Sequence, residues 1–361
     1  MAVGSVTRIR PTRSANAPRR AAARDLPGIA IIGLGYWGPN LVRNFRSQPG
    51  CHLKMCCDLD RRRLDAATAA CPTVELVDNP LDVLADPQIA GVVIATPVET
   101  HYPLAKAALF AGKSVLIEKP LTANVAQAEE LVAMADELGL TLMVDHTFVY
   151  SPAVAKIKQL VDDGELGELL FIDSVRINLG LIQHDVNVVW DLAPHDLSIV
   201  DHLVGRLPDS VSAFGAAHAG RGQEDVAYLN LDFGGGLIAN FHVNWLSPVK
   251  LRYTMLGGSR RSLVYNDLET TEKIKVYDRG VDVLGDDPEG RRERLVDYRT
   301  GDVWSPYVSR DEPLAQVAAQ FVECLTTGGR PLSDGEAGLR VVRILDAAQR
   351  SIRAQGTRIT L

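Results

Sequence analysis

Two short segments bring together residue types that exchange protons and stabilise negative charge. Lys119 stands in "LIEKP" at the end of an apolar run, and Asp191 and His195 stand four positions apart in "WDLAPHD". An ammonium group stabilises a developing oxyanion, and a histidine beside a carboxylate can exchange a proton near neutral pH. The three residues are therefore candidates for acid–base catalysis. Their structural alternatives are a surface ion pair for the lysine and a capped helix with a surface histidine.

The positions of Asp191 and His195 depend on a helix that we predict to begin near Asp191. Asp191 is typical of a helix N-cap, Pro194 suits a first turn, and His195 would then lie on the same side as Asp191. The helix N-terminus disfavours the imidazolium, whereas the carboxylate favours it and fixes the tautomer. A metal site formed by His195, Asp196 and His202 matches no common zinc spacing, so we expect no metal.

The segment "AIIGLGYWG" contains the glycine spacing of a dinucleotide-binding turn, with Gly33, Gly35 and Gly38 directly after an apolar run. Gly33 allows a tight turn, Gly35 lets the backbone approach a pyrophosphate, and Gly38 lets helix and strand pack closely. The helix that follows would offer N–H groups to the phosphates. Asp58, 20 positions after Gly38, would accept hydrogen bonds from the adenosine ribose and disfavour a 2′-phosphate. These features favour NAD, and a glycine-rich turn beside an empty crevice is the structural alternative.

Other residues at the ends of predicted strands complete the expected cofactor site. The carboxyl ends of parallel strands meet at one edge of the sheet, where ligands bind. Arg61 and Arg62 are basic residues near that site, and a basic residue there could hold the 2′-phosphate of NADP, but Asp58 leads us to expect NAD. The predicted cofactor-binding residues are Gly33, Gly35, Tyr36, Trp37, Gly38, Asp58, Arg62, Thr96, Pro97, His101, Glu118 and Lys119.

Two domains are predicted to position these residues. Within residues 27–149, short apolar runs alternate with segments of helical periodicity, which predicts a doubly wound α/β domain with a parallel sheet. Within residues 150–361 the pattern changes. Segments 227–233 and 240–245 alternate apolar and polar residues around three glycines and predict a hairpin, and strands at 250–257, 261–267, 273–278 and 294–299 precede a helix over 336–354. This part is predicted to be α+β, with a largely antiparallel sheet.

Length and composition restrict the class of protein. A chain of 361 residues suits two domains, and a net charge of −7 without a basic patch argues against a nucleic-acid partner. No apolar run reaches the roughly 18 residues of a membrane span. Residues 1–26 are Arg-rich, resemble a transit peptide in composition and are predicted to be a disordered tail. This tail lacks the apolar centre of a secretory signal, and the five cysteines show no C-x-x-C pair, so we expect a cytoplasmic protein.

The ordered set of motifs resembles the Gfo/Idh/MocA oxidoreductases over nearly all of residues 28–361. The segments that carry the resemblance are "GLGYWG", "CDLD", "ATPVETH", "EKP", "DLAPHD" and "DGEAGLRVVRILDAAQRS". It implies an N-terminal Rossmann domain and a C-terminal α+β domain whose large, mostly antiparallel open sheet joins a homodimer or homotetramer. It also implies that Lys119 is the catalytic lysine, that Asp191 is the acidic residue and that His195 is the acid–base histidine.

Segments 177–199 and 258–278 look most like the branch of the family that acts on nucleotide sugars, of the UDP-N-acetylglucosamine 3-dehydrogenase type. The expected reaction oxidises a ring hydroxyl, such as that at C3, to a ketone with NAD as hydride acceptor. The candidates to hold sugar hydroxyls are His146, Tyr150, Asn178 and Asn187, each with a structural role as its alternative. An inositol dehydrogenase, an NAD-dependent glycosidase and a non-catalytic NAD-binding regulator remain alternatives. The Arg-rich tail departs from this branch of the family.

Overall fold

A computed structural model describes residues 26–361 except 181, 184, 221 and 284–295. The predicted Arg-rich tail of residues 1–26 therefore lies outside the described residues apart from Leu26. Within the described residues, none of the helices combines the length and the apolar character needed to cross a lipid bilayer.

The first sheet has six parallel strands, which are β1 (Gly28–Ile32), β2 (His52–Cys57), β3 (Glu75–Val77), β4 (Ile89–Ile94), β5 (Ser114–Glu118) and β6 (Leu142–Asp145). They lie in the order β3-β2-β1-β4-β5-β6. The connecting helices are α1 (Gly38–Ser47), α2 (Arg61–Ala70), α3 (Pro80–Ala85), α4 (Val98–Phe110) and α5 (Val125–Leu138). The predicted doubly wound α/β fold is confirmed. Because the chain order reverses between β1 and β4, a ligand crevice lies at the carboxyl ends of these strands.

The sequence analysis did not predict β3 and α3. The strand has three residues at the edge of the sheet, and its side chains are half-buried or exposed. So short a segment cannot show the continuous apolar run by which the buried central strands are recognised.

After a 3-10 turn at Thr147–Tyr150, the chain builds a second sheet and the remaining helices. These elements are α6 (Pro152–Asp162), β7 (Leu169–Leu179), α7 (Val188–Val204), β8 (Ser210–Ala216), β9 (Val226–Asp232), β10 (Ile238–Asn244), β11 (Leu246–Gly258), β12 (Ser262–Asn266), β13 (Ile274–Val283), β14 (Val296–Trp304), α8 (Pro313–Thr327), α9 (Gly335–Arg353) and β15 (Ile359–Thr360). The strand order is β14-β13-β12-β11-β7-β10-β9-β8-β15.

The second sheet is antiparallel apart from the β7–β10 pair, and the predicted hairpin is formed by β9 and β10. Burial alternates along β9, where Leu229 and Leu231 face the core formed with α6, α7 and α9. The opposite face exposes Phe214, Tyr228 and Ile238. A sheet with one covered and one open face produces the period-2 pattern that the sequence shows.

The last two long helices return to the first sheet. Leu314, Val317 and Phe321 of α8 pack with Phe45 in the core on one face of that sheet. Leu339 of α9 belongs to the core on its other face. The buried residues of α8 lie in the core of the first sheet, whereas those of α9 are divided between the two sheets, with Leu345 in the core of the second. The division of the chain at residues 149 and 150 stays a prediction.

Candidate active site

The glycine segment after β1 forms an open cradle at the carboxyl edge of the first sheet. Gly33 has φ +96°, and a Cβ there would lie 2.5 Å from the carbonyl oxygen of Ala95. A Cβ on Gly38 would lie 3.0 Å from the carbonyl oxygen of Gly33, whereas at Gly35 its nearest neighbour would be Arg63 Nη1 at 4.0 Å. The N-terminus of α1 has no side-chain cap. Two glycines thus close the turn and the third leaves open space, an arrangement that fits a dinucleotide pyrophosphate.

Asp58 lies at the end of β2 and helps to shape this cradle. Its carboxylate accepts hydrogen bonds from the N–H groups of Leu34, at 2.7 Å, and Asp60, at 2.8 Å. The cation beside it is Arg63, whose Nη1 atom is 3.4 Å from Asp58 Oδ2. The predicted Arg62 pairs with Asp60 instead, and its side chain is 91% exposed. Arg63, which the sequence analysis did not select, is therefore the arginine that the ribose end of a cofactor would meet.

Tyr36 and Trp37 lie on the glycine segment with exposed side chains. Their rings contact each other edge to face, with centroids 5.3 Å apart. Both aromatic surfaces are available to a ligand in the cradle, and their role in cofactor binding remains a prediction.

His101 connects two loops instead of facing the crevice, which corrects its assignment to the cofactor site. Its Nδ1 atom lies 2.9 Å from the carbonyl oxygen of Pro120, and its Nε2 atom lies 2.9 Å from that of Thr96. Burial is the main cause that lowers the pKa of His101. The imidazole therefore ties the segment after β4 to the segment after β5. Thr96 also accepts a hydrogen bond from Thr100, and Pro97 occupies the N-cap position of α4.

Lys119 follows β5 and is bonded to Asp191 of α7. Its Nζ atom donates to Asp191 Oδ1 at 3.0 Å and to the Asp191 carbonyl oxygen at 2.7 Å. The other carboxylate oxygen, Oδ2, accepts a hydrogen bond from Trp245 Nε1 at 3.1 Å. An ammonium group has three N–H donors, so within the described part of the chain one donor of Lys119 is not bonded and can serve a ligand. The sequence analysis included Trp245 only as part of the alternating segment 240–245 and did not predict its bond to Asp191.

The helix that carries His195 begins earlier than predicted. Asn187 is its N-cap, and Asn187 Oδ1 accepts hydrogen bonds from the N–H groups of Val189 and Trp190, both at 3.1 Å. Pro194 lies inside the helix. The predictions that Asp191 caps α7 and that His195 lies in its first turn are therefore wrong, because the side-chain oxygen of Asn187 satisfies the first N–H groups one turn earlier.

His195 lies in the cleft with a neutral imidazole. Its Nδ1 atom is buried and has no hydrogen-bond partner in the described part of the chain. Burial, followed by the positive charges of Lys119, Arg176 and Arg252, holds the pKa of His195 well below its ordinary value. The sequence analysis expected the carboxylate of Asp191 to favour the imidazolium, but that carboxylate is bonded to Lys119 and Trp245. The neutral ring can accept a proton from a bound hydroxyl group.

Two of the four predicted substrate residues are bonded within the protein, which corrects those assignments. The Tyr150 hydroxyl donates to Gln320 Oε1 at 2.7 Å and lies 3.0 Å from the Ser333 hydroxyl. Asn187 caps α7, and its amide nitrogen donates to Glu224 and Gln349, both at 2.6 Å. Neither side chain has a polar atom left to bind sugar hydroxyls.

The other two predicted substrate residues remain candidates. His146 follows β6, is 2% exposed, and has neither ring nitrogen hydrogen-bonded within the described residues. Burial, with a smaller effect of Lys119, lowers the pKa of His146 to about 3. Buried polar atoms without partners are rare and point to a bound group. Asn178 and Trp245 both border Gly180, so Asn178 lies near the Asp191 end of the cleft.

Glu118 and Asp145 form a carboxyl pair at the same edge. They are in register on the adjacent strands β5 and β6, and Asp145 Oδ1 accepts a hydrogen bond from the Thr147 hydroxyl at 2.7 Å. Burial raises the pKa of Asp145 to about 6, and burial together with Asp145 raises that of Glu118 well above its ordinary value. Burial and the neighbouring carboxyl group thus both favour the neutral form of Glu118.

Two family models match this chain. The model described as "Oxidoreductase family, NAD-binding Rossmann fold" matches residues 28–146, and the one described as "GFO/IDH/MocA C-terminal domain" matches residues 154–264. The chain belongs to the Gfo/Idh/MocA oxidoreductase family. The predicted oxidoreductase class and the predicted NAD cofactor are thereby confirmed.

Individual Gfo/Idh/MocA relatives have different names. The chain is 32% identical over 256 residues to "Uncharacterized oxidoreductase YdgJ" of Escherichia coli, covering 68% of this chain and 72% of that protein. It is 34% identical over 179 residues to "Inositol 2-dehydrogenase" of Mycolicibacterium smegmatis, covering 48% and 52%. The solved UDP-N-acetylglucosamine 3-dehydrogenase GnnA of Acidithiobacillus ferrooxidans superposes with a TM-score of 0.75 at 24% identity, covering 91% and 97%. This last likeness is one of fold.

Proposed function

We propose that this protein is an NAD-dependent dehydrogenase that oxidises a ring hydroxyl of a sugar to a ketone. The observation that carries the proposal is the half-buried Lys119–Asp191 pair beside the neutral His195, in which one of the three N–H donors of Lys119 is not bonded among the described residues. A donor for a negatively charged oxygen and an acceptor for a proton are the two groups that alcohol oxidation requires from a protein.

Each residue has a defined part in this reaction. A ring nitrogen of His195 accepts the hydroxyl proton, and the remaining N–H of Lys119 donates to the same oxygen as negative charge develops there. A bound NAD would supply the acceptor for the hydride that the carbinol carbon loses. Asp191 holds the Lys119 ammonium group in place, and Trp245 fixes the second carboxylate oxygen. The glycine segment, Asp58 and the N-terminus of α1 are the groups that would hold the dinucleotide.

The substrate that we propose is a nucleotide sugar such as UDP-N-acetylglucosamine, oxidised at C3. The motif resemblance of segments 177–199 and 258–278 supports this choice, and the fold shared with GnnA agrees with it. His146 and Asn178 are the side chains that we propose to hold sugar hydroxyls. A free inositol is the second candidate, favoured by the 34% identity to a relative named inositol 2-dehydrogenase.

NADH formation by the purified full-length protein tests this function. The panel is UDP-N-acetylglucosamine, its uronic acid, other nucleotide sugars, myo-inositol and scyllo-inositol, each supplied with NAD. Turnover confined to a nucleotide sugar is the expected result, and turnover confined to an inositol would replace the substrate. Bound NAD with no turnover on any compound would contradict the dehydrogenase and support a regulator or an NAD-dependent glycosidase.

We also propose that the open face of the second sheet joins copies of this chain into a homodimer or homotetramer. Phe214, Tyr228 and Ile238 lie on that face with 58%, 46% and 58% of their surfaces exposed. An exposed apolar face of this kind marks an interaction surface. Light scattering should give a dimer or tetramer, and the double substitution Tyr228→Lys with Ile238→Lys should give a monomer. A wild-type monomer at micromolar concentration would contradict this proposal.

A further inference from the structure

The orientation of the His195 imidazole is not fixed by a hydrogen bond to Asp191. Asp191 is bonded to Lys119 and Trp245, and the Nδ1 atom of His195 has no partner in the part of the chain that the structure describes. A proton acceptor must be held in a fixed orientation toward the bound hydroxyl if it is to act efficiently. The orientation of this ring must therefore come from packing.

Phe148 supplies the packing contact. Its ring meets the His195 imidazole edge to face, with centroids 5.2 Å apart and planes inclined at 69°. This geometry is favoured because the positive edge of one ring faces the negative face of the other. Phe148 lies on the 3-10 turn after β6, and the hydrogen bonds of Tyr150 to Gln320 and Ser333 anchor that turn.

Arg176 on β7 holds Phe148 in turn. Its guanidinium carbon lies 4.5 Å from the Phe148 ring centroid. Its Nε and Nη2 atoms donate to the carboxylate of Asp196 at 2.6 and 3.0 Å. Asp196 is the residue after His195 on α7. Arg176 therefore contacts Phe148 and is also bonded to the helix that carries His195.

We propose that Phe148 and Arg176 are positioning residues, which hold the imidazole of His195 toward the substrate hydroxyl and keep water from its packed face. This inference rests on the proposed function, because the substrate hydroxyl gives the orientation its purpose. Neither residue was among the candidates that the sequence offered. Phe148 and Arg176 lie outside the motifs that the sequence shows, so only their contacts in the structure identify them.

Several charged or titratable groups surround His195. They are Lys119 after β5, His146 after β6, Arg176 on β7, Arg252 on β11, and Asp191 and Asp196 on its own helix. The cations lower the pKa of His195, after burial as the largest cause. Arg252 also lies 5.8 Å from the Phe148 ring centroid. Loss of the Phe148 ring would admit water, which weakens the effect of burial and raises the pKa of His195.

The test compares Phe148→Leu, which removes the ring, with Phe148→Tyr, which keeps it. Phe321→Leu is the matched control, because Phe321 makes an edge-to-face contact with Phe45, at 6.3 Å and 89°, in the core of the first sheet. The full-length variants are measured for turnover and for the pH dependence of kcat/KM. The titration of His195 is followed by NMR with isotope-labelled histidine, and its signal is assigned by its loss in His195→Asn. Thermal unfolding shows which variants are folded.

Phe148→Leu is expected to lower kcat about tenfold with little change in NAD affinity, because orientation and not binding is lost. The acid limb of kcat/KM and the His195 titration should both move upward by roughly half a pH unit or more. Phe148→Tyr should keep kcat and the His195 titration close to those of the wild type. Phe321→Leu should lower the unfolding temperature and leave kcat and the His195 titration unchanged.

A folded Phe148→Leu variant with unchanged kcat and unchanged His195 titration would overturn the inference. Equal shifts in Phe321→Leu would also overturn it, because they would show a general effect of destabilisation. If Phe148→Leu does not fold, a shifted titration in Phe148→Tyr would contradict the inference and an unshifted one would support it. Absence of turnover in the wild type would defeat the proposed function, while the NMR titration would still decide the role of Phe148.

Discussion

Lys119 donates two hydrogen bonds to Asp191, one to the carboxylate at 3.0 Å and one to the backbone carbonyl oxygen at 2.7 Å. The lysine follows the fifth strand of the first sheet, and the aspartate lies on a helix that covers the second sheet. Such a double contact fixes the ammonium group, and among the residues that the structure describes its third donor has no partner. Four predictions follow from this arrangement and from the groups around it.

Lys119→Met should abolish most of the turnover while NAD still binds. Loss of one donor to a developing oxyanion costs on the order of a hundredfold in kcat. The glycine cradle and Asp58 remain, so the affinity for NAD measured by calorimetry should change by less than about threefold. Lys106→Met is the control, since this exposed lysine of α4 pairs with Glu130 outside the site. Unchanged turnover in Lys119→Met would remove the proposed mechanism.

Gly33→Ala should destabilise the protein, whereas Gly35→Ala should leave its stability unchanged. At Gly33 a Cβ would lie 2.5 Å from a carbonyl oxygen at φ +96°, so the variant should lose roughly 1–3 kcal/mol of unfolding free energy. At Gly35 the space is open, so the free protein should keep its Tm while its affinity for NAD falls. Chemical denaturation and calorimetry measure the two effects. Equal destabilisation by both substitutions would contradict the description of the cradle.

His146→Gln should reduce the loss of stability on acidification. The folded-state pKa of His146 is about 3, below its ordinary value of 6.5. On acidification His146 therefore binds a proton in the unfolded chain at a higher pH than in the folded protein. The free energy of unfolding falls as the pH drops below about 6.5 toward 3. One such group contributes up to about 1.4 kcal/mol per pH unit. Denaturation at several pH values should give a shallower dependence for His146→Gln, and identical dependences would show that folding does not lower the pKa of His146.

Asn187→Ala should destabilise the protein by about 1–2 kcal/mol, because it removes the N-cap of α7. Asn187→Ser retains a capping oxygen and should lose less. Urea denaturation measures both variants. If instead Asn187→Ala kept its stability and raised the KM of the sugar, the original assignment of Asn187 to the substrate would be restored.

The sequence analysis captured most of the fold but only part of the site. The buried strands around Gly33 and Glu118 were predicted because an apolar run is a local signal, whereas the three-residue strand at Glu75–Val77 is too short to show one. Asp191 and Asn187 are both residue types that cap helices, and the sequence does not show which side chain accepts hydrogen bonds from the first N–H groups of α7. His101 and Tyr150 are ordinary polar candidates until their partners at Pro120 and Ser333 are known.

The sequence by itself determined the alternation of strands and helices, the glycine turn at Gly33 and the family, because these depend on neighbours within a few residues. Only the tertiary structure decided that Asp191 holds Lys119 and not His195, and that Phe148 packs against His195. Lys119 and Asp191 are 72 positions apart. Contacts over such distances are set by how the two sheets and their helices pack, and the spacing of residues along the chain does not record them.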